Sequence, residues 1–284
     1  MEPSIAGMVL LSAVLHPIWN ALIKGDARPD MAFMALMAMF LFFAGAHGLA
    51  TGADFLSVSE AWPLVLISSA GLAIYGYNLV LTLKQGDLSA YYPIVRSSPL
   101  FIVLVGVLFL DARYTPSLLA GMALVVGGAI ALQYRPGSRF FDDPATLLRA
   151  LAAMVGSGVY SISDSRGVRL VEPMVFMFWV QIVVIPILGA LFFRHRGSAR
   201  MFAGWRPGAL RYLTLGSVCY GSYILVLFAY RLGGEVAAVT TIRQASIPLS
   251  VVLGGFFFKE GGIWRRLVAS GVLAAGIIVI VLAP

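Results

Sequence analysis

Long apolar runs separated by short polar breaks constrain this chain more than any other feature of its sequence. Each run is close to the ~20 residues that an α-helix needs to cross the hydrocarbon core of a bilayer. The runs predict ten spans, at 5–23, 31–49, 62–83, 88–110, 115–133, 147–164, 173–193, 209–230, 235–258 and 263–282. The first run follows no basic segment and contains His16, Pro17 and Asn20, so we expect a membrane span there and not a cleaved signal peptide. We therefore expect an all-α integral membrane protein with ten transmembrane helices.

The composition excludes an ordinary soluble fold. Of the 284 residues, 60% are hydrophobic and only 12% are charged, whereas a soluble domain carries roughly 25% charged residues. The net charge of +7 does not indicate a nucleic-acid partner, because the basic residues are grouped in short segments between the apolar runs. The single cysteine, Cys219, excludes an internal disulfide and a cysteine-cluster metal site.

The sequence contains an internal repeat. When it is shifted by 148 residues, 75–112 lies on 223–260, and nine of the 38 positions are identical. The identical pairs are Tyr75/Tyr223, Leu79/Leu227, Gly86/Gly234, Ala90/Ala238, Ile94/Ile242, Ser98/Ser246, Val103/Val251, Gly106/Gly254 and Phe109/Phe257. We predict a first five-helix repeat at 1–133, an inter-repeat loop at 134–146 and a second five-helix repeat at 147–284. Two copies of an odd number of spans cross the membrane in opposite senses, so one midplane site could face each side in turn.

The distribution of Lys and Arg predicts the orientation. The segments after runs 1, 3, 5, 7 and 9 hold fourteen of these residues, and the opposite segments hold four. The two that remain, Arg96 and Arg243, lie inside predicted spans. Because cytoplasmic loops of membrane proteins concentrate Lys and Arg, both termini are predicted to be on the periplasmic side of a bacterial inner membrane.

Motifs in three spans carry a resemblance to a known family. The motifs are His16-Pro17-x-Trp19-Asn20-x-x-x-Lys24, Gly86-Asp87-Leu88-Ser89-x-x-Tyr92-Pro93-Ile94-x-Arg96-x-Ser98-Pro99 and Gly234-Glu235-Val236-Ala237-x-x-Thr240-x-Ile242-Arg243-Gln244-x-Ser246. Together with ten spans in two inverted halves, they resemble the EamA-type branch of the drug/metabolite transporter superfamily. Phe258-Lys259-Glu260 is similar to the family's usual end of span nine, whereas its counterpart Leu110-Asp111-Ala112 departs from the family's Gly-Glu.

The resemblance implies a secondary transporter that exports small metabolites by alternating access, with the bacterial amino-acid exporters as the nearest analogy. It implies no enzyme activity, no cofactor, no metal and no ATPase subunit, and the chain has no phosphate-binding loop of its own. Its expected partners are a small solute, amino acids above all, and the lipid bilayer. The family's larger members are expected to have cytoplasmic termini, which disagrees with the orientation predicted from the Lys and Arg count. We follow the Lys and Arg count.

Two other functions stay open. One is an exporter of lipophilic or cationic drugs, for which a carboxylate deep in the membrane is expected. The other is an integral-membrane transferase, for which acid and base residues at the level of the headgroups are expected. The deep charges that the sequence predicts are arginines, which favour neither.

Polar side chains recur on the faces of several predicted spans, where lipid would not suit them, and we expect them to line one wet cavity. The predicted substrate-binding residues are His16, Trp19, Asn20, Tyr75, Asn78, Tyr92, Arg96, Ser157, Tyr160, Ser161, Tyr223, Thr240, Arg243 and Gln244.

The chemistry of this set suits a zwitterion. Arg96 and Arg243 are expected to hold an anionic group of the solute or to form a gate, because a guanidinium fork matches a carboxylate. The aromatic rings suit an apolar or cationic remainder. Asp164 stands at the end of its predicted span, so we expect its carboxylate to reach the headgroups and not the cavity.

The predicted orientation is testable by labelling. In a Glu2→Cys variant whose Cys219 is replaced by alanine, the new thiol should react with an impermeant maleimide in intact cells, because the amino terminus would be periplasmic. A cysteine in 194–208, a predicted cytoplasmic segment, is the matched control and should react only after lysis. The reverse pattern would overturn the orientation and leave the predicted spans intact.

Overall fold

The structure is a computed structural model that describes residues 1–24, 28–85, 91, 94–133, 143–193, 209–248 and 263–283. These parts of the chain contain ten α-helices and no strand. The helices are α1 (Pro3–Lys24), α2 (Pro29–Thr51), α3 (Trp62–Gln85), α4 (Ser98–Phe109), α5 (Pro116–Gln133), α6 (Pro144–Leu170), α7 (Pro173–Phe193), α8 (Ala209–Arg231), α9 (Val236–Ile242) and α10 (Ile263–Leu282). Short 3-10 helices at Phe55–Ala61 and Arg243–Ala245 precede α3 and follow α9.

The all-α class and the membrane character that the sequence predicts are confirmed. Five segments are long and apolar enough to cross a bilayer, namely Pro29–Thr51, Phe55–Thr82, Pro144–Leu170, Pro173–Phe193 and Leu210–Arg231. The outer face of α4 is also apolar, with Leu104 55% and Leu108 61% exposed. Soluble proteins rarely expose broad apolar patches, so these faces are consistent with a membrane protein. The number of crossings and the inverted repeat stay predictions.

Three helices differ from the spans predicted for them. α6 begins three residues before the predicted span 147–164, inside the predicted inter-repeat loop, and runs six residues beyond it. Asp164 is therefore well inside a helix, and its charge does not mark a helix end. The predicted spans 88–110 and 235–258 are not continuous helices in their described parts. A turn at Arg96 and Ser97 precedes α4, and α9 gives way to its 3-10 turn after Ile242.

The long helices pack in pairs that join the two halves of the chain. α3 lies along α6 and α1 lies along α8, while α2 contacts both α7 and α8. α5 pairs with α10, and α4 packs against α6 and α9. The pairings bring the polar faces of α1, α3, α6 and α8 toward one another, which places them around a common interior.

Two glycines allow the backbones of α3 and α6 to touch. A Cβ atom on Gly156 would lie 2.6 Å from the carbonyl oxygen of Gly71, and one on Gly71 would lie 2.7 Å from the backbone nitrogen of Tyr160. Such close approach is typical of helix packing in membranes, where small residues replace bulky ones at the interface. It also brings the rings of Tyr75 and Tyr160 to a centroid distance of 5.6 Å.

A methyl group on Gly156 should therefore destabilise the protein. We expect Gly156→Ala to reduce the free energy of unfolding by about 1–3 kcal/mol, because the added carbon meets backbone atoms that cannot move aside. Gly127→Ala is the matched control, since a Cβ atom there would have nothing within 4 Å. Thermal unfolding in detergent compares the two variants, and equal melting temperatures would contradict the close contact of α3 with α6.

Candidate functional site

A cavity with about 920 Å³ of empty space, counting the part open to solvent, lies between the helices of both halves. Its wall is formed by α1, α2, α3, α6, α7, α8 and α9 and by the two interrupted regions beside α4 and α9. The residues predicted to bind substrate that line it are His16, Trp19, Tyr75, Arg96, Ser157, Tyr160, Ser161, Tyr223, Thr240, Arg243 and Gln244. The structure thus brings eleven of the fourteen predicted residues to one place.

Of the other three predicted residues, the structure describes the side chain of Asn78 alone. Asn78 is not among the lining residues, because its amide nitrogen donates to the carbonyl oxygen of Ile74, one turn back on α3, at 2.8 Å. Tyr92 and the side chain of Asn20 lie outside the described residues.

Arg96 is bonded to protein groups on every side of its guanidinium. Its Nε donates to Oε1 of Gln244 at 3.1 Å, and its Nη2 donates to the hydroxyl of Ser246 at 2.8 Å. Its Nη1 lies 2.8 Å from Nε2 of His16. The amide of Gln244 donates in return to the backbone oxygen of Arg96 at 3.0 Å. Arg96 therefore joins α1 to the 3-10 turn after α9, and each of its three guanidinium nitrogens has a partner within the protein.

These bonds also fix the state of His16. An arginine is a donor only, so Nε2 of His16 accepts and the ring is neutral with its proton on Nδ1. His16 is buried, and its Nδ1 has no hydrogen-bond partner in the described parts of the chain. An N–H donor is thus left over at the cavity wall, beside Trp19, whose ring centroid is 4.6 Å away.

Arg243 contrasts with Arg96. Its guanidinium carbon lies over the ring of Tyr223, 5.3 Å from the centroid, in a cation–π arrangement. Its Nε is buried without a hydrogen-bond partner among the described residues. The two arginines, which have similar positions in the sequence, therefore differ. The guanidinium of Arg96 is hydrogen-bonded to protein groups, whereas that of Arg243 lines the cavity and its Nε has no partner among the described residues.

Asp164 lines the cavity, which corrects the expectation that it reaches the headgroups. Its side chain is only 1% exposed, and it accepts hydrogen bonds from the hydroxyls of Ser68 and, at 2.5 Å, Tyr223. One signal for it was present in the sequence. Asp164 shares a helical face with Ser157, Tyr160 and Ser161, and only the misplaced end of the span removed it from the set.

Gln181 is a second lining residue that the sequence analysis missed. It is 1% exposed, and neither atom of its amide has a partner in the described parts. A buried amide without partners is costly in a protein interior, so its place on the cavity wall is informative. The available signal was its position as the single amide side chain within the apolar run of α7.

Comparisons with known proteins show the fold and nothing finer. No family model and no curated protein matches this sequence. One solved structure, described only as a crystal structure of a protein, covers 98% of this chain and 96% of its own, with 21% sequence identity and a TM-score of 0.74. This chain is thus similar in its overall fold to a solved protein along almost its whole length.

The bonds of Arg96 predict a specific loss of stability. We expect Arg96→Lys to reduce the free energy of unfolding by about 1.5–3 kcal/mol, because one ammonium group cannot reach His16, Gln244 and Ser246 together. Arg231→Lys is the matched control, since Arg231 pairs with Glu172 at 2.6 Å where both side chains are more than a third exposed. An exposed pair contributes about 0–1 kcal/mol. Equal shifts in melting temperature for both variants would count against a structural role for Arg96.

Proposed function

We propose that the protein is a secondary transporter that exports small metabolites, amino acids in the first place, across the inner membrane by alternating access. The observation that carries the proposal is the cavity itself, which lies among apolar helices and yet contains Asp164, Arg243 and Gln181. Ionisable groups inside a membrane protein are expensive and occur where a solute or ion must pass. A purely structural interior would have paired these groups with one another.

The interrupted helices support a transport site. In the first half the turn at Arg96 and Ser97 breaks the chain before α4, and in the second half the 3-10 helix Arg243–Ala245 follows α9. The repeat aligns Arg96 with Gln244, so the two interruptions occupy corresponding positions. Broken helices at corresponding positions of two halves are typical of the substrate sites of secondary transporters.

The helix contacts support the inverted repeat. The 148-residue shift relates α1 to α6 and α3 to α8, so it exchanges the α3–α6 contact with the α1–α8 contact, and both exist. It likewise exchanges α2–α8 with α3–α7, which are also both present. Arg96 and Gln244, which the shift aligns, bond to each other. Equivalent residues meet in this way when a two-fold axis passes close to them.

The proposed orientation has both ends of the chain in the periplasm. The backbone nitrogen of Met1 lies 3.0 Å from the carbonyl oxygen of Val281, so the start of α1 and the end of α10 are on the same face. An even number of crossings produces that arrangement, and the Lys and Arg distribution then assigns the face.

Asp164 favours a second candidate, the exporter of lipophilic or cationic drugs. A buried carboxylate in one cavity with Phe40, Tyr160 and Tyr223 suits a hydrophobic cation. The aromatic rings can stack on the cation, and the carboxylate can neutralise its charge. The deep charges that the sequence predicts are arginines, so this carboxylate is an observation that only the structure adds. No observation on the described residues favours the transferase.

Counterflow separates these candidates. Purified protein in liposomes loaded with an unlabelled solute should accumulate the same labelled solute from outside, once a thermal-shift screen has shown which solutes bind the folded form. We expect amino acids to be exchanged in preference to cationic dyes. Ser161→Trp, which fills the cavity, should abolish exchange, while the exposed control Glu172→Gln should not. If every solute that stabilises the protein bound without being exchanged, the transport proposal would be rejected.

A further inference from the structure

We infer that the cavity selects zwitterions, with Asp164 accepting the ammonium group of the solute and Arg243, not Arg96, holding its carboxylate. The inference rests on the proposed transport function and names the substrate class of the same site. The inference gives a role to Asp164, which the sequence predicted to reach the headgroups. It also gives different roles to Arg96 and Arg243, for which the sequence predicted the same role.

Arg243 is the cation that remains available. Each of the three guanidinium nitrogens of Arg96 already contacts a protein group, on His16, Gln244 or Ser246. The guanidinium of Arg243 has no hydrogen bond to any residue within the described ranges, and its Nε is buried. A guanidinium has five N–H donors in a fixed fork that fits a carboxylate bidentately. An anionic group entering the cavity would satisfy donors that have no partner among the described residues.

Asp164 is the matching anion. A carboxylate has about four acceptor sites, and the hydroxyls of Ser68 and Tyr223 fill two of them. Both partners are neutral, and no Lys, Arg or His of the described chain lies within ion-pair distance of this carboxylate. Buried charges are normally paired with an opposite charge. An ammonium group is the ligand that supplies both the missing charge and the missing donors.

Tyr223 keeps these two charges apart. Its hydroxyl donates to Asp164 at 2.5 Å, while its ring lies beneath the guanidinium of Arg243. Because one rigid ring contacts both groups, they share a region of the cavity without closing into an ion pair. A solute that carries an ammonium and a carboxylate group on the same carbon can bridge them, whereas a solute with one charge leaves the other buried charge uncompensated.

The rest of the wall suits the remainder of an amino acid. The cavity wall also includes the aromatic rings of Trp19, Phe40, Tyr75 and Tyr160, which suit the side chain of such a solute. The amide of Gln181, which has no partner among the described residues, offers one acceptor and two donors to a polar group. The cavity therefore combines a zwitterion site with an adaptable aromatic surface.

The test uses three solutes of one shape. They are the amino acid that binds best in a thermal-shift panel of the standard amino acids, the amine that it forms on decarboxylation, and the carboxylic acid that lacks its amino group. We expect the wild-type protein to bind and exchange the amino acid at least about tenfold more tightly than either single-charge analogue, because truncating one partner of a buried charge pair costs that much or more.

The variants should divide this preference between the two residues. Asp164→Asn should remove the preference for the amino acid over the carboxylic acid and keep the preference over the amine. Arg243→Gln should do the reverse, and Asp164→Glu should recover part of what asparagine loses. Glu172→Gln and Arg231→Gln remove the same charges from an exposed pair and should change none of the three affinities. Unchanged elution from a sizing column and an unchanged melting temperature without solute show that each variant folds.

Several outcomes would overturn the inference. Equal weakening of all three solutes by Asp164→Asn would show that the carboxylate holds helices or carries a coupling proton. If Arg96→Lys weakened binding of the amino acid more than Arg243→Gln did, Arg96 and not Arg243 would hold the carboxylate. Binding and counterflow of amines, with no amino acid bound, would reject the zwitterion site and leave the transporter intact. Counterflow of no solute at all would reject the proposed function instead.

Discussion

The hydrogen bonds between Arg96 and Gln244 join the two halves of the chain at the place where a helix of each half is interrupted. An interruption inside a membrane protein frees backbone groups that lipid cannot satisfy. Here the amide of Gln244 donates to the backbone oxygen of Arg96, and the guanidinium of Arg96 donates to Gln244 and Ser246. The side chains that close the interruptions also form the wall of the cavity, so the site and the junction of the halves are one structure.

The helices could be predicted from the sequence because they depend on local hydropathy. The bounds of α7 and α10 coincide with the predicted spans, and those of α3 and α8 differ by two residues or fewer. The misplaced end of α6 has a physical cause. A single acidic residue in a sequence suggests an exposed helix end, but Asp164 is compensated by hydroxyls of α3 and α8. Those partners are far away in sequence, and no local pattern contains them.

The site was predictable as a set of polar faces but not as a network. Most of the predicted residues line the cavity, because a polar stripe on a membrane helix has nowhere else to face. The difference between Arg96 and Arg243 depends on tertiary contacts and not on a local sequence pattern. Each is an arginine at the start of an interrupted region, and only the contacts of His16 and Gln244 with one of them decide which is engaged. Gln181 shows the same limit, since its importance comes from the partners that it lacks.

The two halves hold similar polar groups in different arrangements, and Arg243 is one residue out of strict register with Arg96. The 148-residue shift that aligns Arg96 with Gln244 also aligns His16 with Asp164. In the first half the α1 group and the arginine are bonded, with His16 and Arg96 2.8 Å apart. In the second half Asp164 and Arg243 remain separate, with Tyr223 in contact with both. The proposed alternating access would need such an inequality, because two identical halves would leave the site equally open to both sides. A zwitterion that bridges Asp164 and Arg243 would link these two groups of the second half, as the contact between His16 and Arg96 links their counterparts in the first half. The charges of the solute would thus shift the equilibrium between the two arrangements.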